Sequence, residues 1–343
     1  MPDFTTHFLM ARSLLFELHG EAADIAYRDL NAFYWGAQGP DPLYYYNSNI
    51  PETVRKQAFA LHSANPSSIF LSASKNVLDT KGTKQWDQML PFLFGFICHY
   101  CLDKNASPYI YSMQLRQKAK EPKTADELIY ARLESAIDSA LYLHYHKKPI
   151  NDFAPAKFYS LDDLLLIAMS SFFYKLIRDV SRVQLPHDDI SLCFNEMLEK
   201  NKAFYSPLGK FKMLPALIVD SLSGGTLNAH FKTMASPCDD ILNLKKSPWA
   251  NPWESGTQLR LSFVEIVENS VKEAKIMIDA FHTMLTTGNI RQLNLQKPFN
   301  CGNPAQHPSS ARIYYAAAAE EENELLEDLP DFPELSGFEE PQE

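Results

Sequence analysis

The chain has 343 residues, 45% of them hydrophobic, which is enough for one large or two smaller globular domains with a buried core. Its formal charge of −10 sits at one end: residues 320–343 hold eleven Asp and Glu and no Lys or Arg, so residues 1–319 are close to neutral. A near-neutral body excludes electrostatic nucleic-acid binding, which needs a basic surface, and five cysteines in so long a chain (Cys98, Cys101, Cys193, Cys238 and Cys301) exclude a disulfide framework and predict reduced thiols.

The N-terminus lacks the basic and apolar regions of a signal peptide, and no apolar run approaches bilayer length, so a cytoplasmic protein is expected. In chain order, an apolar stripe over residues 4–19 predicts a helix that Gly20 can end. A shorter helix follows over 21–35, then GAQGPDP at 36–42 as loop. Pro51 opens a helix over 51–64, and residues 83–102 are apolar on most sides, as a core helix is. Residues 118–123 read as a charged loop, and 125–145 and 161–185 as helices, the second stopped by Pro186. Further helices are expected over 187–203, 210–223 and 261–287, with an irregular proline-bearing stretch at 236–255. The best candidate seam is the loop at 147–157. From about residue 299 the chain turns polar and then acidic, and a disordered tail is expected over 299–343. Scarce glycine and rare strand-type alternation make the chain all-α.

The segment GFICHYCLD at 95–103 places His99 and Asp103 four residues apart, one turn on one helical face. Such a pair can bind one metal ion, or it can be a buried His bonded to a buried Asp. In the most apolar helix of the chain the two groups must be paired or metal-bound. The segment FYWGAQGPDPLYYY at 33–46 holds Asp41 between Gly39-Pro40 and Pro42, as a rigidly presented carboxylate or as a plain turn residue. His7 and His62 stand alone on expected helices. Cys98-His99-Tyr100-Cys101 contains one C-x-x-C but no second half for a structural zinc site.

In order, His7, the GPD loop with Asp41, His62, then His99 and Asp103 resemble the zinc-dependent phospholipase C family, in particular its branch without a signal peptide. The stretch LESAID at 133–138 is similar to the family's carboxylate-bearing helix, with Glu134 on its metal-binding Glu, and residues 239–253 and 261–275 are similar to the C-terminal half of that branch. The resemblance implies an all-α, phospholipase C / P1 nuclease-like fold with additional C-terminal helices: a zinc-binding core at 1–150 and a helical part at 151–298 packed on it.

It also implies the ligand division. Asp41, His62, His99 and Asp103 would hold one zinc, His7 and a bridging Asp103 would help hold a second, and Asp41 is the candidate catalytic residue. A third site departs from the pattern, because Ser107 and Tyr130 stand where the family has histidines and only Glu134 remains. One carboxylate does not hold zinc, so one or two ions are expected. The implied activity is hydrolysis of a phospholipid head group or related phosphodiester, with peripheral membrane contact. The alternative is a non-catalytic family member that binds a ligand, or a protein partner through the acidic tail.

Overall fold

Short-range capping sets several helix boundaries. The computed structural model describes residues 3–45, 50–206, 208–214, 217–218, 226–232, 239–254, 258–290, 293, 295 and 297–299. Asp3 caps α1 (Phe4–Glu17) by accepting from the Phe4 amide, and α2 (Gly20–Arg28) leads to α3 (Leu30–Ala37), which Asp29 caps. A 3₁₀ turn at Asp41–Tyr44 precedes α4 (Glu52–Ser63), and α5 (Pro66–Leu78) follows directly. Then come α6 (Lys84–Lys120), α7 (Asp126–His146), α8 (Asp163–Ser181) and α9 (His187–Phe204). The single turns α10 (Gly209–Lys212) and α11 (Thr226–Ala229) precede the last long helix, α12 (Phe263–Thr287). A capping box of Ser262 and Glu265 opens α12, and Gly288, at φ 72°, closes it.

The fold is all-α, with one two-stranded antiparallel pair, Trp249–Ala250 against Gln258–Leu259, among the described residues. Trp249 is buried there against Tyr109 and donates from Nε1 to the Leu261 carbonyl, so this tryptophan packs the irregular stretch.

α6 is the central element, packing against α1, α2, α3, α5, α7, α8 and α12. It runs 37 residues, about 55 Å at 1.5 Å per residue, and so extends beyond the expected end at 102 and through part of the expected loop at 118–123. Pro91 and Pro108 both lie inside it. An interior proline removes a helical hydrogen bond at a cost of about 3 kcal/mol. Burial of Ala106, Tyr109, Ile110 and Met113 offsets that loss, and Tyr109 and Gln114 anchor the far end through the carbonyls of Ile241 and Asp126.

α5 was not expected. Its inward face includes Ser67, Ser72 and Ser74, all buried, so a polar composition hid the helical period. The helix expected over 161–185 stops at Ser181, where Arg182 turns left-handed at φ 58°, before Pro186 is reached. Of the helix expected over 210–223, the described residues show a turn at 209–212 and helical residues at 214, 217 and 218. The expected tail, 299–343, lies outside the described residues except for Phe299. One hydrophobic cluster joins Phe4 to Phe299 and draws on residues from both sides of the 147–157 loop. No helix of the described residues is long and apolar enough to cross a membrane.

Candidate metal centre

The α3–α6 crossing brings the GAQGPD loop onto the His99 face of α6. A Cβ on Gly36 would stand 2.0 Å from the Phe92 carbonyl oxygen, and one on Gly95 would stand 2.0 Å from the Phe33 carbonyl oxygen. The two helices therefore touch backbone to backbone. Gly39 follows at φ +51°, and a Cβ there would stand 2.2 Å from the His99 ring. Both the left-handed turn and the closeness to the imidazole require glycine. Buried Gln38 ties the loop to α1, donating to the Phe4 carbonyl at 3.3 Å and bonding the Tyr159 hydroxyl at 2.6 Å.

This framework brings His7 from α1, Asp41 from the 3₁₀ turn, His62 from α4 and His99 and Asp103 from α6 to one point. The Nε2 atoms of His62 and His99 lie 3.4 Å apart. Asp103 Oδ2 is 3.2 Å from His99 Nε2 and 3.5 Å from His62 Nε2, and Asp41 Oδ1 is 3.2 Å from His62 Nε2. On the other side, His7 Nε2 lies 3.4 Å from Asp103 Oδ1 and 3.8 Å from Asp41 Oδ2. Each carboxylate thus presents one oxygen to His7 and the other to His62. Two overlapping groups meet metal-ligand spacing, His7–Asp41–His99 and His62–His99–Asp103. They share His99, whose Nε2 has a single lone pair and can serve one ion only.

Hydrogen bonding fixes two of the three rings. His62 Nδ1 is 2.6 Å from the Ala58 carbonyl oxygen and His99 Nδ1 is 3.2 Å from that of Ala37. A carbonyl only accepts, so each Nδ1 carries the proton and each Nε2 turns a lone pair to the centre. Tyr44 stacks on His62, with ring centroids 5.4 Å apart. His7 is stacked on His99 at 4.3 Å, but neither of its ring nitrogens has a hydrogen-bond partner.

Asp41 Oδ1 and both oxygens of Asp103 also lack a hydrogen-bond partner. Buried polar groups are satisfied in the great majority of cases, so this concentration of partnerless, mutually facing lone pairs fits a cation. Distances fit as well: bonds of about 2.0–2.1 Å in a tetrahedral site separate the ligands by about 3.3–3.4 Å. The buried His and Asp groups can hold a metal ion. Asp41 alone among the five opens outward, its side chain 12% exposed against 0–1% for the others.

Glu134 is not brought into either ligand group among the described residues. Burial pushes its carboxyl well above the usual range, and the nearby Asp3 and Asp41 push the same way against the Lys232 ammonium. Ser107 is buried with its Oγ unpartnered, and Tyr130 is half-buried against the core. The single thiols Cys98 and Cys101 are buried, and burial raises both.

One polar residue was missed from the sequence. Asp138, on the same face of α7 as Glu134 and fully buried, accepts from the Thr5 amide at 3.0 Å, the Thr6 amide at 2.8 Å and the Thr6 hydroxyl at 2.6 Å. Its place one turn after Glu134 in LESAID was the available clue. No protein-family model, curated protein or solved structure matches the chain.

Proposed function

We propose that this protein is a metal-dependent phosphoesterase resembling the zinc-dependent phospholipases C, acting on a phospholipid head group or related phosphodiester through a two-zinc centre. The observation that carries the reading is the buried convergence of three imidazole Nε2 atoms on two carboxylates that each face both sides of the centre. His62, His99, Asp103 and Asp41 would form the closed side, and His7 with the second oxygens of Asp41 and Asp103 the side with an open position. Nitrogen and carboxylate donors without a thiolate suit zinc. Zinc in such a site supplies Lewis acidity toward a phosphoryl oxygen and a hydroxide at neutral pH.

This chain's own residues do the rest. Asp41 reaches the outward side and can take a proton from water held there. Ala58 and Ala37 keep the imidazoles of His62 and His99 turned inward, and the apolar packing of α6 keeps bulk water from the ligands. With no third ligand group around Glu134 among the described residues, two cations would be left to hold the phosphate. Ser107 and Tyr130 also support a second reading, a non-catalytic relative that keeps the fold and binds a ligand or partner.

Elemental analysis of protein purified without a histidine tag is expected to give two zinc per chain, with hydrolysis of bis(p-nitrophenyl) phosphate. His99→Ala should lose both zinc content and turnover, while His7→Ala should keep one ion and lose turnover by at least about a hundredfold. Zinc without turnover on any phosphodiester would favour the second reading, and a well-folded chain without metal would overturn both metal assignments.

A further inference from the structure

The three imidazoles are held in different ways. His62 and His99 each have Nδ1 tied to a backbone carbonyl, and His7 has no such tie. A metal-binding imidazole is normally oriented by a partner on its other nitrogen. For His7 the orientation rests on its stacking against His99 and on the backbone that carries it.

That backbone is the first turn of α1, and all four of its amides are satisfied. Phe4 N–H donates to Asp3 Oδ1 at 2.8 Å, Thr5 N–H to Asp138 Oδ2 at 3.0 Å, Thr6 N–H to Asp138 Oδ1 at 2.8 Å, and His7 N–H to the Asp3 carbonyl at 3.3 Å. A helix N-terminus leaves the first three of these donors without intrahelical partners, and it favours negative charge. Asp138 comes from a different helix, 132 residues beyond Thr6. Its two oxygens grip adjacent amides, and Thr6 Oγ1 adds a third bond at 2.6 Å, so α1 can neither rotate nor slide without breaking charge-assisted hydrogen bonds. Lys232, fully buried, lies 3.0 Å from Asp138 Oδ2 and also pairs with Asp3, which compensates the carboxylates. Tyr205 closes the set through Thr5 Oγ1 and Asp138.

We infer that Asp138 is a positioning residue: by clamping the first turn of α1 it sets His7 against Asp41 and Asp103, and so controls the open side of the centre. The inference rests on the metal-centre reading above. It makes α7 contribute through Asp138, where the sequence had pointed to Glu134. It also couples the 226–232 segment to the centre through Lys232.

The test is calorimetric titration of the metal-free full chain with zinc, beside thermal unfolding of the same samples. In Asp138→Asn one oxygen becomes an amide donor facing donors. The weaker zinc site should lose affinity about 10–100-fold while the tighter site keeps its own. Thr6→Val, which removes one bond and keeps the fold, should weaken the same site several-fold, and Thr6→Ser should restore it. A purely structural Asp138 would lower the unfolding temperature and leave the two affinities in their parental ratio, which overturns the inference even if Asp138→Asn fails to fold, since Thr6→Val reports the same ratio. A parent chain that binds no zinc overturns the metal-centre reading and this inference with it. Two sites in the parent that Thr6→Val leaves unchanged overturn the inference alone.

Discussion

At the scale of single residues, the centre depends on atoms that are missing as much as on ligands. Gly39 has no Cβ, and the His99 ring occupies that space. Gly39→Ala should suffer twice, from a left-handed backbone that disfavours side chains and from a contact with a ring that has no room to retreat. A loss of about 1–3 kcal/mol in urea unfolding is expected, together with reduced zinc content in the folded fraction. Full zinc content and parental stability would show that the loop adapts freely. The candidate ligands were legible through the resemblance: His7, Asp41, His62, His99 and Asp103 match its order and one helical spacing, and the structure gathers all five. Glu134 was named by the same reasoning and stays outside the ligand groups. Asp138, its neighbour on the same face, carried only the clue of its spacing from Glu134, because its partners lie more than a hundred residues back in α1 and backbone amides carry no sequence signature.

At the scale of elements, the α3–α6 contact places Asp41 over His99, and two glycines permit it. Gly95→Ala would put a methyl group into the Phe33 carbonyl, and backbone cannot rotate aside as a side chain can. The helices would separate at the point where the loop departs. Equilibrium unfolding should show a loss of about 1–3 kcal/mol or more, larger than that of an alanine placed at solvent-exposed Gly82, where a Cβ meets nothing but the strained φ of +84° remains. Equal losses at the two positions would show that strain, and not the close crossing, decides. The ends of α12 were readable, expected over 261–287 and found at Phe263–Thr287. The length of α6 was not, since Pro108 is locally a stop and only the burial of Tyr109, Ile110 and Met113 carries the helix past it. α5 was not either, because serines on an inward face look like surface.

For the whole molecule, the buried Asp3–Lys232–Asp138 cluster ties the first helix to the chain's second half, and it makes stability depend on pH. Burial opposes the charge on Asp3, but Lys232 outweighs it and holds the carboxyl at about 2, below the ordinary 3.8. A depressed carboxyl contributes stability that is complete above its ordinary value and is lost as pH falls toward the folded value. Burial likewise opposes the Lys232 charge, and Asp138 and Asp3 outweigh it and raise the ammonium above its ordinary 10.5. That contribution is complete below 10.5 and is lost as pH rises through the folded value. The cluster therefore stabilises fully between about pH 4 and 10. Lys232→Met should unfold at a lower temperature than the parent at pH 7, with the gap closing as the pH drops toward 2. A gap that stays constant over that range would show that packing of the lysine stem, not its charge, is what matters.

The sequence by itself determined the all-α class and most helix starts, because periodicity and capping are local properties of the chain, and its resemblance to a known family named the five candidate ligands. Tertiary structure alone decided that the five meet at one point and that Asp138 bonds the first turn of α1. Those outcomes depend on how closely helices can approach and on where buried donors find acceptors. Both are set by contacts between residues far apart in the chain, and no local pattern encodes them.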